Sequence, residues 1–165
     1  MDYKTKCQKI VDRLIRKSFP SLRNENIRIK EISNSLFWWA GGFVLKWKGD
    51  YLIILNEKFR KVKNKPLVGA LCHELCHIED YKKRKVGSNP FYYAKEWLSW
   101  AFNTPFSRKL EREAEIQAIK KGYSKELYSF ALVREKIYPK QSVKKLQPRG
   151  YLSPEEIKAY ARKRN

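Results

Sequence analysis

His73 and His77 are the only histidines in this 165-residue chain, and they bracket Glu74 in the run His73-Glu74-Leu75-Cys76-His77. On a helix, residues four apart project from the same face, one turn separated. Two imidazoles so placed can hold one zinc ion, and a glutamate beside the first can take the proton from a zinc-bound water. The metal lowers the pKa of that water toward about 7, giving a nucleophile at neutral pH. The chemistry expected is hydrolysis, with Glu74 as general base. The plainer reading of the same residues is a pair of surface histidines on a charged helix.

A catalytic zinc takes three protein ligands and keeps one position open. A third histidine six residues after the second, preceded by a glycine, is absent, because those positions hold Lys83 and Asp80. The third ligand should therefore be a carboxylate. The run Lys109-Leu-Glu-Arg-Glu-Ala-Glu-Ile-Gln-Ala-Ile119 offers the best candidates. Glu111 and Glu115 fall on one helical face, so Glu111 can bind zinc while Glu115 bonds the free nitrogen of His73. Such a carboxylate fixes the tautomer and basicity of the imidazole it supports. Glu113 falls to another side, and Asp80 and Glu96 are weaker competitors. The same residues also suit a solvated helix face pairing with lysines. No spare histidine exists to stabilise an oxyanion. Tyr123 is a candidate for that role, against the alternative of a packed aromatic at a helix end.

These groups need elements to hold them. Cys7, Ile10, Val11, Leu14 and Ile15 recur at helical spacing, which predicts an amphipathic helix from Asp2 to Phe19, stopped by Pro20. Ile27, Ile29 and Glu31 alternate with polar neighbours and predict a short strand. Aromatic and β-branched runs on either side of Lys48-Gly49-Asp50 predict a β-hairpin, with Gly41-Gly42 marking another turn or a bulge. Pro66 should open the helix that carries the histidines, with Leu67, Leu71 and Leu75 on its apolar face, ending near Lys85. Further helices are expected over Asn89 to Phe102, from Thr104-Pro105 to Lys121 with Gly122 as a left-handed stop, and from Ser124 to Tyr138. Ser153-Pro154-Glu155-Glu156 is a capping-box start for a last short helix. Helix, small sheet, then helices implies an α+β domain, with helices packed on a short, mainly antiparallel sheet. The expected division is a domain over 1–138 and a polar linker with a short helix over 139–165.

His73-Glu74-x-x-His77, followed by Glu111-Arg112-x-Ala114-Glu115, resembles the gluzincin metallopeptidases. The short form is most similar to the minigluzincins, soluble minimal relatives of HtpX-type and prenyl-protein-processing membrane peptidases. The resemblance covers roughly residues 50–123. It implies a zincin-like fold, zinc on His73, His77 and Glu111, and Glu74 as base. It further implies a peptide or protein substrate whose extended backbone lies on an edge strand. The residue supporting the ligand histidine is usually aspartate in this family; here it is Glu115, one methylene longer. Minigluzincins also resemble latent forms with a terminal segment in the cleft, a role that the segment starting at Gly150-Tyr151-Leu152 would fill.

Composition frames the alternatives. The chain carries 37 Lys+Arg against 17 Asp+Glu, a net charge of +20. A field of that size attracts nucleic acid, anionic membrane or acidic protein. It also suits a lysine-rich, heavily charged surface with no partner at all. A SprT-like peptidase near DNA, a DNA or RNA binder, and a non-catalytic zinc scaffold are the competing functions. The Phe37-Trp38-Trp39 cluster beside lysines invites base stacking, though strand aromatics more often face a core. The aromatic run from Phe91 to Phe102 suits either peripheral membrane contact or a cover over the motif helix. Tyr81-Lys-Lys-Arg-Lys85 complements a helix C-terminus. Three cysteines are too few and too odd for a disulfide framework. No apolar run nears the roughly 18 residues a bilayer span requires, so a cytoplasmic protein is expected.

Overall fold

The computed structural model describes residues 2–33, 42–87, 89–137 and 150–163. Helix α1 spans Tyr3–Ser18, and the Asp2 side chain caps it by accepting from the Thr5 amide at 3.0 Å. Its buried face is Cys7, Ile10, Val11 and Leu14. A single 3₁₀ turn, Pro20–Leu22, follows and leads into strand β1, Ile27–Ile32. Strands β2, Gly42–Trp47, and β3, Asp50–Asn56, form the hairpin. Trp47 pairs with Asp50, so the loop is only Lys48 and Gly49. Both have positive φ, 49° and 91°, the backbone signature of the tight hairpin turn that matches strand twist.

The sheet order is β1-β3-β2, with β3 central. β3 runs antiparallel to β2 but parallel to β1, so the sheet is mixed where a mainly antiparallel one was expected. Alternation within a strand says which face is buried. It does not say which edge of a hairpin the preceding strand will join. β3 is buried on both faces from Tyr51 to Asn56, as an interior strand's continuous apolar run requires. β1 shows the one-sided pattern, with Ile27 and Ile29 buried and Arg28 and Lys30 exposed. The Phe37-Trp38-Trp39 cluster and Gly41 lie outside the described residues, whereas Gly42 is the first residue of β2.

Helix α2 spans Asn64–Lys83 and starts two residues before Pro66. Pro66 therefore sits inside the first turn, where backbone N–H groups lack helical partners and none is lost to proline. Fifteen of the twenty α2 residues are buried, because the sheet and three helices close around it. Gly69 makes one of those contacts possible. A Cβ there would lie 2.4 Å from the Glu126 carbonyl oxygen, so the backbones meet at a distance only glycine allows. Helices α3, Pro90–Ala101, α4, Pro105–Lys120, and α5, Ser124–Ile137, follow. The last helix, α6, spans Pro154–Arg162 and opens with the full capping box, Ser153 and Glu156 bonding each other's backbone amides. Leu152 and Ile157 are buried in the same core cluster as α1, the sheet and α2. No described helix is long and apolar enough to cross a membrane.

Candidate metal centre

Helix α2 presents His73, His77 and Tyr81 one turn apart along one face. The imidazoles meet edge to face, with ring centroids 4.6 Å apart, and their Nε2 atoms are 3.1 Å apart. Helix α4 brings Glu111 to them. Its Oε2 lies 3.1 Å from His73 Nε2 and 3.5 Å from His77 Nε2. Both histidines are buried, and the Glu111 side chain is 12% exposed. Burial disfavours a charged His77, but its hydrogen bond to Glu111 and the charge there outweigh this and push its pKa up to about 10. Glu111 moves the other way. Burial opposes its ionisation, and the hydrogen bonds from His73 and His77 hold it far below the usual carboxylate range.

Whether such a trio fits a zinc ion is a question of geometry. Zinc–nitrogen and zinc–oxygen bonds of about 2.0–2.1 Å in a tetrahedron place ligand atoms roughly 3.3 Å apart. The separations here are 3.1, 3.1 and 3.5 Å. The atoms are of the types zinc prefers, and among the described residues no fourth His, Cys, Asp or Glu joins them. His73 Nδ1 is buried without a hydrogen-bond partner, and one Glu111 oxygen, Oε2, faces both imidazoles. The residues therefore fit a three-ligand metal site. Asp80 does not belong to it, since it pairs with Arg84 and is 38% exposed on its side chain. Cys72 and Cys76 are free, buried and outside the trio. The Cys72 thiol is pushed well up by its contact with Cys76 and by burial.

Glu74 sits next to the trio, under the start of β2. A Cβ on Gly42 would come within 3.2 Å of Glu74 Oε1, so the sheet edge closes tightly over this carboxylate. Burial raises its pKa, partly offset by His73 and His77. Together these groups line a cavity of about 250 Å³, walled on one side by Gly42 to Leu45 of β2 and on another by α3. Among the described residues β2 is an edge strand, paired only with β3.

Two expected residues stand elsewhere. Glu115 does not reach His73. It is fully buried and accepts from Arg134 Nη1 at 2.6 Å and from the Leu152 amide at 2.5 Å. Arg134 also donates to the Leu152 carbonyl at 3.1 Å. The pair thus grips the backbone of the C-terminal segment, and the face of α4 it occupies turns toward α5. Tyr123 is no oxyanion donor here, because its hydroxyl bonds Ser18 Oγ at 2.8 Å, away from the cavity.

Other residues do line the cavity. Tyr151 tilts against His73, with ring centroids 6.0 Å apart. From α3 come Tyr93, Glu96 and Trp100, and from α2 comes Tyr81. The α3 run therefore has two faces: one covers the cleft, while Phe91 and Phe102, 83% and 77% exposed, point away. The sequence named Glu96 only as a spare ligand. Tyr93 three residues before it and Trp100 four after it are the signal that puts the three on one side. In the basic run ending α2, Lys83 and Arg84 pair one turn back with Glu79 and Asp80, and Lys82 pairs with the distant Glu25. Comparison with family models, with curated proteins and with solved structures finds no match to this chain.

Proposed function

We propose that this protein is a zinc-dependent endopeptidase with His73, His77 and Glu111 as ligands and Glu74 as general base. The observation that carries the reading is the meeting of three ligand atoms at tetrahedral spacing, with a buried carboxylate next in sequence, beside a sheet edge. A structural zinc would be closed by a fourth protein ligand, and none joins the trio among the described residues. That favours catalysis over scaffolding.

A zinc ion held there would supply Lewis acidity, polarising a carbonyl and lowering the pKa of a water. The chain's own residues do the rest. An extended peptide adds to the edge strand β2 through main-chain hydrogen bonds. Glu74 takes the proton of the attacking water and passes it to the leaving amine. Its burial raises its proton affinity, which brings a carboxylate closer to the working pH of a base. The cleft walls exclude bulk water around that transfer. Three buried free thiols, two of them in contact, suit a reducing cytoplasm.

Glu74→Gln should lower peptide hydrolysis about a hundredfold or more and leave the metal bound. Undiminished proteolysis by that variant would end this reading. A latent form belongs to the same proposal, because Tyr151 occupies the cleft wall beside His73. Truncation is a poor test, since it strips Leu152 and Ile157 from the core. Tyr151→Ala is the cleaner one: hydrolysis should rise several-fold, whereas an unchanged or lower rate would remove latency from the account.

A further inference from the structure

Among the described residues no lysine or arginine lines the cleft, although three carboxylates do: Glu74, Glu96 and Glu111. Two of the three have a place in the chemistry above. Glu96 has none. Its Oε1 accepts from the Tyr81 hydroxyl at 2.8 Å, and its Oε2 is buried with no hydrogen-bond partner. The charge of Arg84 acts on it, but the Arg84 nitrogens bond Asp80 and the Tyr92 hydroxyl. His77 faces Glu111 instead, with its Nε2 3.5 Å from Glu111 Oε2. A buried carboxylate oxygen without a donor is costly to maintain. Around it stand aromatic walls. Tyr81 and Tyr93 meet edge to face at 5.5 Å, and Trp100 lines the same cavity. Aromatic faces next to a carboxylate are the common recipe for holding an organic cation, by ring quadrupole and charge together.

We infer that Glu96, with Tyr81, Tyr93 and Trp100, forms a subsite for a substrate cation, an ammonium or guanidinium group held near the scissile bond. The group is either a lysine or arginine side chain or the free amino terminus of the peptide. The inference deepens the peptidase reading and rests on it for the word substrate, but the subsite can be measured by binding alone. Glu96 contacts the substrate here and takes no proton from it.

The test uses full-length, zinc-supplemented protein carrying Glu74→Gln, so that ligands survive. The probes are alanine–leucine hexapeptides with one lysine at each position in turn, followed by calorimetry. Each is made in four forms: free, N-terminally acetylated, lysine-acetylated, and blocked at both amines. At least one free peptide should bind, and blocking one amine should weaken it tenfold or more. Which amine matters tells side chain from terminus. Adding Glu96→Gln, which keeps an acceptor for Tyr81, should erase the preference, and Glu96→Asp should restore part of it. Equal binding of all four forms, a preference that survives Glu96→Gln in folded protein, or no binding at millimolar concentration would each overturn the subsite. The acetylation series alone decides the matter if the Glu96 variants do not fold. Parallel digests with the unmodified enzyme separate the two claims. Selective binding without cleavage leaves the subsite and removes the peptidase; cleavage without amine preference does the reverse.

Discussion

Glu111 and Glu115 sit one turn apart on the same helix and point into the same protein, yet their surroundings differ in kind. Glu115 is fully buried, and both of its oxygens are matched, one by Arg134 and one by the Leu152 amide. Glu111 meets two imidazoles that crowd a single oxygen, and buried polar atoms around it go unmatched. A guanidinium stays charged in any protein environment, whereas an imidazole can discharge. The first carboxylate therefore has a permanent partner and a structural task. The second has partners that are equally good metal ligands. Matched hydrogen bonding marks the latch, and unmatched convergence marks the site.

The sharpest way to break that comparison is to remove each carboxylate in turn and follow urea denaturation with a chelator present. Glu115→Ala leaves Arg134 charged and buried and frees the Leu152 backbone, and should cost about 3–5 kcal/mol. Next in size is Glu79, which ties α2 to Ser21 at 2.7 Å and to Lys121 at 3.1 Å. Burial pushes its pKa up, but those two donors outweigh it and hold the folded value below 4.5. Its stabilisation is thus present above pH 4.5 and is lost as the pH falls through the folded value. Glu79→Gln should cost about 2 kcal/mol at neutral pH, with the gap to wild type closing in acid; a gap independent of pH would contradict the assignment. Smallest should be Glu111→Ala, at about 1 kcal/mol, because the imidazoles can lose charge and bond each other across 3.1 Å. If Glu111→Ala proves as damaging as Glu115→Ala without metal, the division between latch and site fails.

The same contrast explains what the sequence could convey. The histidine pair was readable because helical spacing alone puts residues four apart on one face. Glu111 followed because no third histidine exists and a carboxylate had to come from another helix. Glu115 shares that spacing, so periodicity placed it beside the expected metal ligands. Its true partners, Arg134 and Leu152, lie 19 and 37 residues further along, and no local pattern announces them. Tyr123 is a similar case, its hydroxyl being taken by Ser18 across 105 residues. Helix limits were legible to within a residue or two because caps are local: Asp2, Thr104 and Ser153 all cap as their types predict. The parallel pairing of β1 with β3 was not legible, since it depends on which edge of the hairpin the helices leave open.

The most direct test of the account is the metal content of the full-length protein and of Glu111→Ala, each supplied with zinc, desalted and analysed by elemental mass spectrometry. The account predicts about one zinc per chain in the wild type and near-complete loss in the variant, with circular dichroism unchanged. Equal zinc in both would contradict the ligand set, and no zinc in the folded wild type would contradict the metal centre itself.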